Sequence, residues 1–321
     1  MVKNEWTVLL PAEIHLAGPE SIADIATTVK RDEYDTRMQL LADAERFDAI
    51  ITRIERIDRE FIDSASNLEI ISKHGVGYDN IDVDAATENG VLISNTPGTN
   101  SRAVAEHAIT LLLAVRRRLR QADRAVRAGN GGKYDVVTNE FQSDTIGLYG
   151  YGDIGSEVAN LVSGLSMGCL VYDPYVDETE LSTHVTKVES TAALFEQADA
   201  VSVHAPLTAK TRNDISEAEL RQLSPSGILV NTARAEIVDR DALVSSLEAG
   251  AIAGAGIDVF ADGPPSEEYP LLEYENVILT PHIGAQTTEA LTQMSVESAD
   301  NVRSAYNGTV PESALNSSEL S

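Results

Sequence analysis

Gly150-Tyr151-Gly152-Asp153-Ile154-Gly155 is the stretch on which the fold of this chain turns. The apolar run Thr145-Ile146-Gly147-Leu148-Tyr149 before it reads as a buried strand, and Ser156-Glu157-Val158-Ala159-Asn160-Leu161 after it has helical spacing. A second apolar run, Cys169-Leu170-Val171-Tyr172, ends in Asp173, 18 positions after Gly155. Strand, glycine turn, helix, strand and acid is the order a dinucleotide needs. The glycines permit a tight turn and close backbone approach to a pyrophosphate, and the helix start points N–H groups and partial positive charge at it. The acid accepts hydrogen bonds from ribose hydroxyls and repels a 2′-phosphate, so NAD is favoured over NADP.

Working outward, the 321 residues suffice for two domains with full cores, and the hydrophobic content of 43% is that of a soluble globular protein. No apolar stretch approaches the roughly 18 residues a membrane span requires. The N-terminus lacks the apolar segment of a signal peptide, and a single cysteine, Cys169, rules out an internal disulfide framework and a cysteine-based zinc site, so a cytoplasmic location is expected. Acidic residues number 51 against 24 Lys and Arg, a net charge of −27 spread along the whole chain. Such a field repels nucleic acid and anionic membranes. With only six lysines among the basic residues, the composition is similar to that of proteins from salt-loving organisms. Molar salt screens this self-repulsion, since the Debye length falls to about 3 Å near 1 M.

The first hundred residues alternate short apolar runs with helix-like segments. Residues 6–10, 49–52, 68–72 and 91–94 read as strands, and 19–29, 37–45, 59–65 and 83–88 as helices or helical turns. Residues 101–128 form one long helical pattern closed by Gly129, and Asn130-Gly131-Gly132 reads as a loop. A second alternating region has strand candidates at 145–149, 169–172, 200–203, 227–231, 253–257 and 277–279, and 287–306 is again helical. Pro264-Pro265 and the acids after it mark a surface loop. The pattern predicts an α/β protein with doubly wound parallel sheets.

Hydride exchange with a nicotinamide needs a cation for a substrate carboxylate and a proton donor, both at strand ends facing the cofactor. Arg234, in Asn231-Thr232-Ala233-Arg234, follows one strand, and its planar fork suits a carboxylate. His282, in Thr280-Pro281-His282-Ile283-Gly284, follows another, and imidazole exchanges protons near neutral pH. Gly164-Leu165-Ser166-Met167-Gly168 matches a hydrolase nucleophile elbow. That elbow needs a strand entering and a helix leaving, whereas here the order is reversed.

With these residues in place, the chain resembles the D-isomer-specific 2-hydroxyacid dehydrogenase family almost from end to end. The resemblance lies in Gly75-Val76-Gly77-Tyr78-Asp79-Asn80-Ile81-Asp82, in Asn95-Thr96-Pro97-Gly98-Thr99-Asn100-Ser101 with Val104-Ala105-Glu106, and in the glycine turn with Asp173-Pro174-Tyr175. His204-Ala205-Pro206-Leu207-Thr208, Asn231 to Arg234, Asp258-Val259-Phe260 and Pro281 to Ala285 follow in the family's order. It implies a Rossmann NAD domain at 99–287 inserted into a discontinuous flavodoxin-like substrate domain at 1–98 and 288–321. It also implies a homodimer formed mainly through the NAD domains and the helix from Ser101. Its roles carry over to Arg234 as carboxylate binder and carbonyl polariser and to His282 as acid/base. Val76, Gly77 and Asn100 become substrate contacts. Val104, Gly150, Gly152, Asp153, Ile154, Gly155, Asp173, His204, Ala205, Pro206, Thr211, Thr232, Ala233, Asp258, His282 and Gly284 become cofactor contacts. The implied activity is hydride transfer between NAD(H) and a small D-2-hydroxy or 2-oxo acid: 3-phosphoglycerate, hydroxypyruvate or glyoxylate. For a phosphorylated substrate, Lys73, His74 and Arg102 are candidate cations.

The chain departs from the family at Gly263, where relatives carry a Glu that hydrogen-bonds the catalytic histidine. Asp262, Glu267 and Glu268 are the candidate replacements. Without any of them the imidazolium loses a charge-assisted partner, which leaves open an alternative reading as an NAD(H)-binding sensor or scaffold with weak turnover.

Overall fold

The computed structural model describes residues 4–130, 137–142, 144–261, 263 and 265–320. The chain divides into two compact units, Met1–Asn100 with Gln286–Ser321, and Ser101–Ala285.

In the first unit β1 (Trp6–Leu10), β2 (Ala26–Lys30), β3 (Ala49–Thr52), β4 (Ile70–Lys73) and β5 (Leu92–Ser94) pair in parallel in the order β2-β1-β3-β4-β5. Helices α1 (Ala17–Ser21), α2 (Arg37–Ala42), α3 (Arg59–Ser64) and α4 (Val83–Glu88) connect them. The period-2 pattern of β1 sends Leu9 to one core and Trp6, Val8 and Leu10 to the other. Ala299 and Val302 of the last helix, α11 (Thr288–Tyr306), close that second core, so the end of the chain completes the unit built by its beginning.

The second unit opens on α5 (Ser101–Arg116) and α6 (Leu119–Arg127). Its strands are β6 (Thr145–Tyr149), β7 (Gly168–Tyr172), β8 (Val185–Lys187), β9 (Ala200–Val203), β10 (Ile228–Asn231), β11 (Gly254–Ile257) and β12 (Val277–Leu279). They form one parallel sheet in the order β12-β11-β10-β9-β6-β7-β8. Helices α7 (Asp153–Ser163), α8 (Thr191–Gln197), α9 (Glu217–Leu220) and α10 (Arg240–Glu248) make the crossovers. Strand order reverses between β6 and β9, and such a switch point is where an open α/β sheet offers a crevice for ligand.

Three expectations are corrected. Residues 19–29 are not one helix: α1 is short, and the β-branched run Thr27-Thr28-Val29 enters edge strand β2, from Trp6 opposite Ala26 to Leu10 opposite Lys30. The helix from Ser101 does not run unbroken to Ala128. Arg116 is buried, donating to the Ser226 carbonyl (3.1 Å) and pairing with Asp144, and Arg118 takes a left-handed φ of 49° that ends α5. Strand β8 passes unseen because three residues carry too little pattern. The loop reading at Gly131-Gly132 lies outside the described residues. No described helix is long and apolar enough to cross a membrane.

Candidate functional site

Most helices here are closed at their start by a side chain. Thr36, Asp58, Asp82, Ser190, Asp239 and Thr287 each accept a backbone N–H from the first turn of α2, α3, α4, α8, α10 and α11. Helix α7, at the β6–β9 switch point, starts at Gly152 with no side-chain cap, as α1 and α6 also do, so the N–H groups of Asp153 and Ile154 are left for a ligand. The glycines explain how one would reach them. A Cβ on Gly150 (φ 101°) would sit 2.7 Å from the Ala205 nitrogen, and one on Gly155 would sit 2.4 Å from the Gly150 carbonyl oxygen. Both are required for backbone to pack on backbone at the β6–β9 switch point. A Cβ on Gly152 would meet nothing within 4 Å, so this position keeps the approach to the helix start clear.

Asp173 stands at the end of β7 beside this turn. One carboxylate oxygen accepts the Tyr151 N–H and the other the Tyr175 N–H, both at 2.9 Å, which fixes the acid where a ribose would lie. After β9, both ring nitrogens of His204 are buried without a hydrogen-bond partner among the described residues, and burial lowers the imidazole pKa to about 3. The buried Thr232 hydroxyl after β10 likewise has no partner among the described residues. Orphaned buried polar atoms are costly in a folded chain. Together with the uncapped α7 they are a donor and acceptor set that fits a dinucleotide. Thr211 is used internally: its hydroxyl donates to the Pro206 carbonyl (2.7 Å) and accepts the Thr208 N–H (2.8 Å), shaping the loop rather than offering a free group.

Arg234 and His282 leave the same carboxyl edge of the sheet, after β10 and β12, with β11 between them. Two strand spacings amount to roughly 10 Å, a span that two side chains and a small acid bridge. The turn holding Arg234 is clamped by Asn231, which accepts the Ala233 N–H (3.0 Å) and donates to the Arg234 carbonyl (2.8 Å). His282 has a left-handed φ of 55°, rare for a residue with a side chain. Its N–H points to the carbonyls of Asp258 (2.9 Å) and Thr280 (3.0 Å). The buried Asp258 carboxylate accepts the Ile283 N–H (2.9 Å), the Gly284 N–H (2.8 Å) and the Thr280 hydroxyl (2.6 Å). Burial pushes its pKa up, but these bonds and His107 outweigh that and hold it below the usual carboxylate value. Val104 packs beside Gly284, so Val104, Asp258 and Gly284 do come together.

Of the candidate replacements for an acid at Gly263, Glu267 and Glu268 are exposed, and Asp262 lies outside the described residues. Gly263 has φ 82°, so a Glu introduced there would take a left-handed backbone at a cost of roughly 1–2 kcal/mol. Cys169 is inert, its thiol buried and pushed up to about 12. Around Ser166, α7 enters and β7 leaves, the reverse of a nucleophile elbow.

In the first unit, the loop after β4 is tied down by Gly75 N–H to Thr96 Oγ1 (3.0 Å) and Asn95 Nδ2 to the Val76 carbonyl (2.9 Å). The N–H groups of Val76 and Gly77 make no hydrogen bond among the described residues. Two of the three candidate phosphate cations are otherwise engaged. Lys73 is buried and donates to Asn80 Oδ1 (2.8 Å) and the Arg53 carbonyl, and Arg102 pairs with Glu106 (2.6 Å) and Glu157 (3.4 Å). His74 is buried, and desolvation, with the Arg53 and Lys73 charges, lowers its pKa to about 4. Sequence reasoning missed Arg53, at the end of β3 close to His74, and also His107.

The depressed His74 value has a consequence for stability. An unfolded histidine takes up its proton near pH 6.5, the folded one only near 4. The unfolded state therefore binds more protons in that window, and stability falls as pH drops through it, at up to about 1.4 kcal/mol per pH unit. Thermal melts of His74→Leu against the parent chain at pH 7.5 and 5 should show the variant losing less Tm on acidification. Equal losses would contradict the assignment.

Comparison with known proteins agrees with this geometry. Residues 109–284 match the family model described as D-isomer specific 2-hydroxyacid dehydrogenase, NAD binding domain. A glyoxylate reductase of Thermofilum pendens is 37% identical over 321 residues, covering 98% of this chain and 94% of that protein. A D-3-phosphoglycerate dehydrogenase of Archaeoglobus fulgidus is 37% identical over 282 residues, covering 88% of this chain but only 54% of the relative, so the chain spans about half of that protein's length. Among solved structures, an NADPH-dependent glyoxylate/hydroxypyruvate reductase from Sinorhizobium meliloti in complex with NADP and malonate superposes with a TM-score of 0.88 at 29% identity, over 99% of this chain and 98% of that one. The chain belongs to the D-isomer specific 2-hydroxyacid dehydrogenase family. These relatives are named for turnover, and the reading as a sensor or scaffold finds no support among them.

Proposed function

We propose that this chain is an NAD-dependent reductase of small, unphosphorylated 2-oxo acids, glyoxylate and hydroxypyruvate foremost, acting reversibly as a D-2-hydroxyacid dehydrogenase. The observation that carries the reading is one carboxyl edge bearing both an uncapped helix start at Gly152 and the pair Arg234 and His282. A bound nicotinamide supplies or accepts the hydride. The Arg234 fork binds the substrate carboxylate and draws charge from the carbonyl. His282 donates the proton to the carbonyl oxygen on reduction and removes it on oxidation. Asp173 supports preference for NADH over NADPH. The internal use of Lys73 and Arg102 argues against a phosphorylated substrate.

Two further proposals concern the setting. Helix α6 buries no residue, and Leu119 and Val126, seven apart on one face, are 55% and 65% exposed. We read this face as part of a homodimer contact. The charge of −27 suits a protein working in concentrated salt in the cytoplasm. Anionic NADH and an anionic acid approach against that field, so screening it lowers both KM values.

The test is initial rates with NADH and NADPH against glyoxylate, hydroxypyruvate, 3-phosphohydroxypyruvate, pyruvate and phenylpyruvate, at about 0.1 M and about 2 M KCl. Expected are NADH-dependent turnover led by glyoxylate and hydroxypyruvate, KM falling with salt, and a solution mass near twice 34.5 kDa. NADH binding with no turnover on any acid would overturn the enzymatic reading.

A further inference from the structure

We infer that His107, on α5, is a positioning residue that locks the turn carrying His282, acting through Thr280 and Asp258. The inference rests on the reading of His282 as the proton donor. It concerns a residue that touches neither substrate nor reacting atoms.

The chain of contacts is short and its hydrogen placement is forced. Thr280 Oγ1 lies 2.6 Å from Asp258 Oδ1, and an ionised carboxylate only accepts, so the single hydroxyl hydrogen points at Asp258. The lone pairs of Thr280 are left facing His107 Nε2 at 3.0 Å. His107 therefore carries its proton on Nε2, and that N–H also faces Asp258 Oδ1 at 3.3 Å. The Asp258 side chain is 2% exposed and that of His107 16%, so water does little to replace either contact. A buried carboxylate is tolerable only when its lone pairs are satisfied. Here the donors are Thr280, His107 and the N–H groups of Ile283 and Gly284.

The same carboxylate thus grips the two residues after His282, while the Asp258 carbonyl accepts the His282 N–H. This grip has strain to oppose. A histidine at φ 55° sits above its relaxed backbone, and such conformers persist only where the surroundings over-determine them. His107 is the member of the set supplied from outside the β10–β12 edge, from a helix whose buried face packs under that edge. A Cβ built on Gly284 would lie 3.7 Å from both Val104, one turn earlier on α5, and His107, so the helix lines the turn at two points. Removing the His107 donor leaves Asp258 short of one partner and lets it swing toward water, and the turn relaxes with it. A displacement of about 1 Å of a reacting group costs on the order of 10²-fold in rate.

The experiment compares His107→Leu, His107→Gln and Thr280→Val by three measurements: kcat and KM for the preferred oxo acid, the NADH dissociation constant, and amide hydrogen exchange at Ile283 and Gly284. Glutamine keeps an N–H donor at similar reach. For His107→Leu we expect kcat to fall by about 10- to 100-fold, NADH affinity to stay within about threefold, and exchange at both amides to accelerate at least about tenfold. His107→Gln should recover to within about threefold of the parent on every measure, and Thr280→Val should follow His107→Leu, carrying the test if that variant does not fold. Unchanged exchange in His107→Leu, or His107→Gln as impaired as His107→Leu, would overturn the inference. If the parent reduces no oxo acid, the exchange data still decide the positioning role, and only the functional reading fails.

Discussion

Replacing Arg234 with alanine should lower kcat/KM for every 2-oxo acid the chain reduces by about 10³-fold while leaving NADH affinity within about twofold. The size of the effect follows from one guanidinium having two tasks. On the proposed reading it neutralises the substrate carboxylate in a protein of charge −27, where no background field attracts an anion. It also supplies donors to the carbonyl oxygen as negative charge develops there, and a single such donor is worth about 10²–10³-fold in other sites. The backbone under Arg234 is fixed by the two Asn231 side-chain bonds, and one Nη1 donor is already folded onto the Ala233 carbonyl at 2.8 Å. The fork is therefore aimed by its own turn, and a lysine offers a point charge without that geometry. Arg234→Lys is expected to regain no more than about tenfold of the loss. Steady-state kinetics with fluorescence titration of NADH separate the outcomes. A loss below about tenfold, or one carried by NADH affinity, would mean that another group holds the carboxylate.

The sequence carries the second unit more fully than the first for a physical reason. Glycines at positions 150, 152 and 155 are dictated by clashes and clearances that local spacing exposes directly, and the buried strands around them are uninterrupted apolar runs. The strand-end positions of Arg234 and His282 are legible because each follows such a run. Edge strand β2 was not, because Pro19 to Val29 offers helical spacing as readily as β-branched propensity, and only pairing with β1 chooses between them. The break at Arg118 has no glycine or proline to announce it; it follows from the burial of Arg116 against Asp144 and Ser226, partners 28 and 110 residues away. The same holds for His107. Its environment is assembled from Asp258 and Thr280, more than 150 residues downstream, and no local pattern reports that. Lys73 shows the converse: its position beside the Val76 loop suggests a ligand cation, yet its ammonium is turned inward to Asn80 and the Arg53 carbonyl.

His282→Asn should reduce kcat by about 10²–10⁴-fold, the range that a positioned general acid contributes. Asparagine is the informative replacement because of the backbone. At φ 55° most side chains are strained, whereas asparagine enters the left-handed region readily, so the turn gripped by Asp258 survives the substitution. The loss then reports proton transfer rather than collapse of the turn. KM for the acid and the NADH dissociation constant should stay within about threefold, since Arg234 and the uncapped α7 are untouched. The pH dependence gives a second, independent reading. Reduction of an oxo acid needs a protonated donor, so the parent rate falls as pH rises through the titration of that donor, and removing the imidazole removes this limb. A variant that kept more than about a tenth of the parent kcat, or kept the parent pH profile at lower amplitude, would show that the proton comes from elsewhere. Thr280→Val provides the contrast, since it leaves the imidazole in place and loosens only the carboxylate beneath it: its rate should fall while the alkaline limb persists. A chain in which His282→Asn lost the limb and Thr280→Val kept it would have its proton donor and the support for that donor assigned to different residues by one pair of profiles.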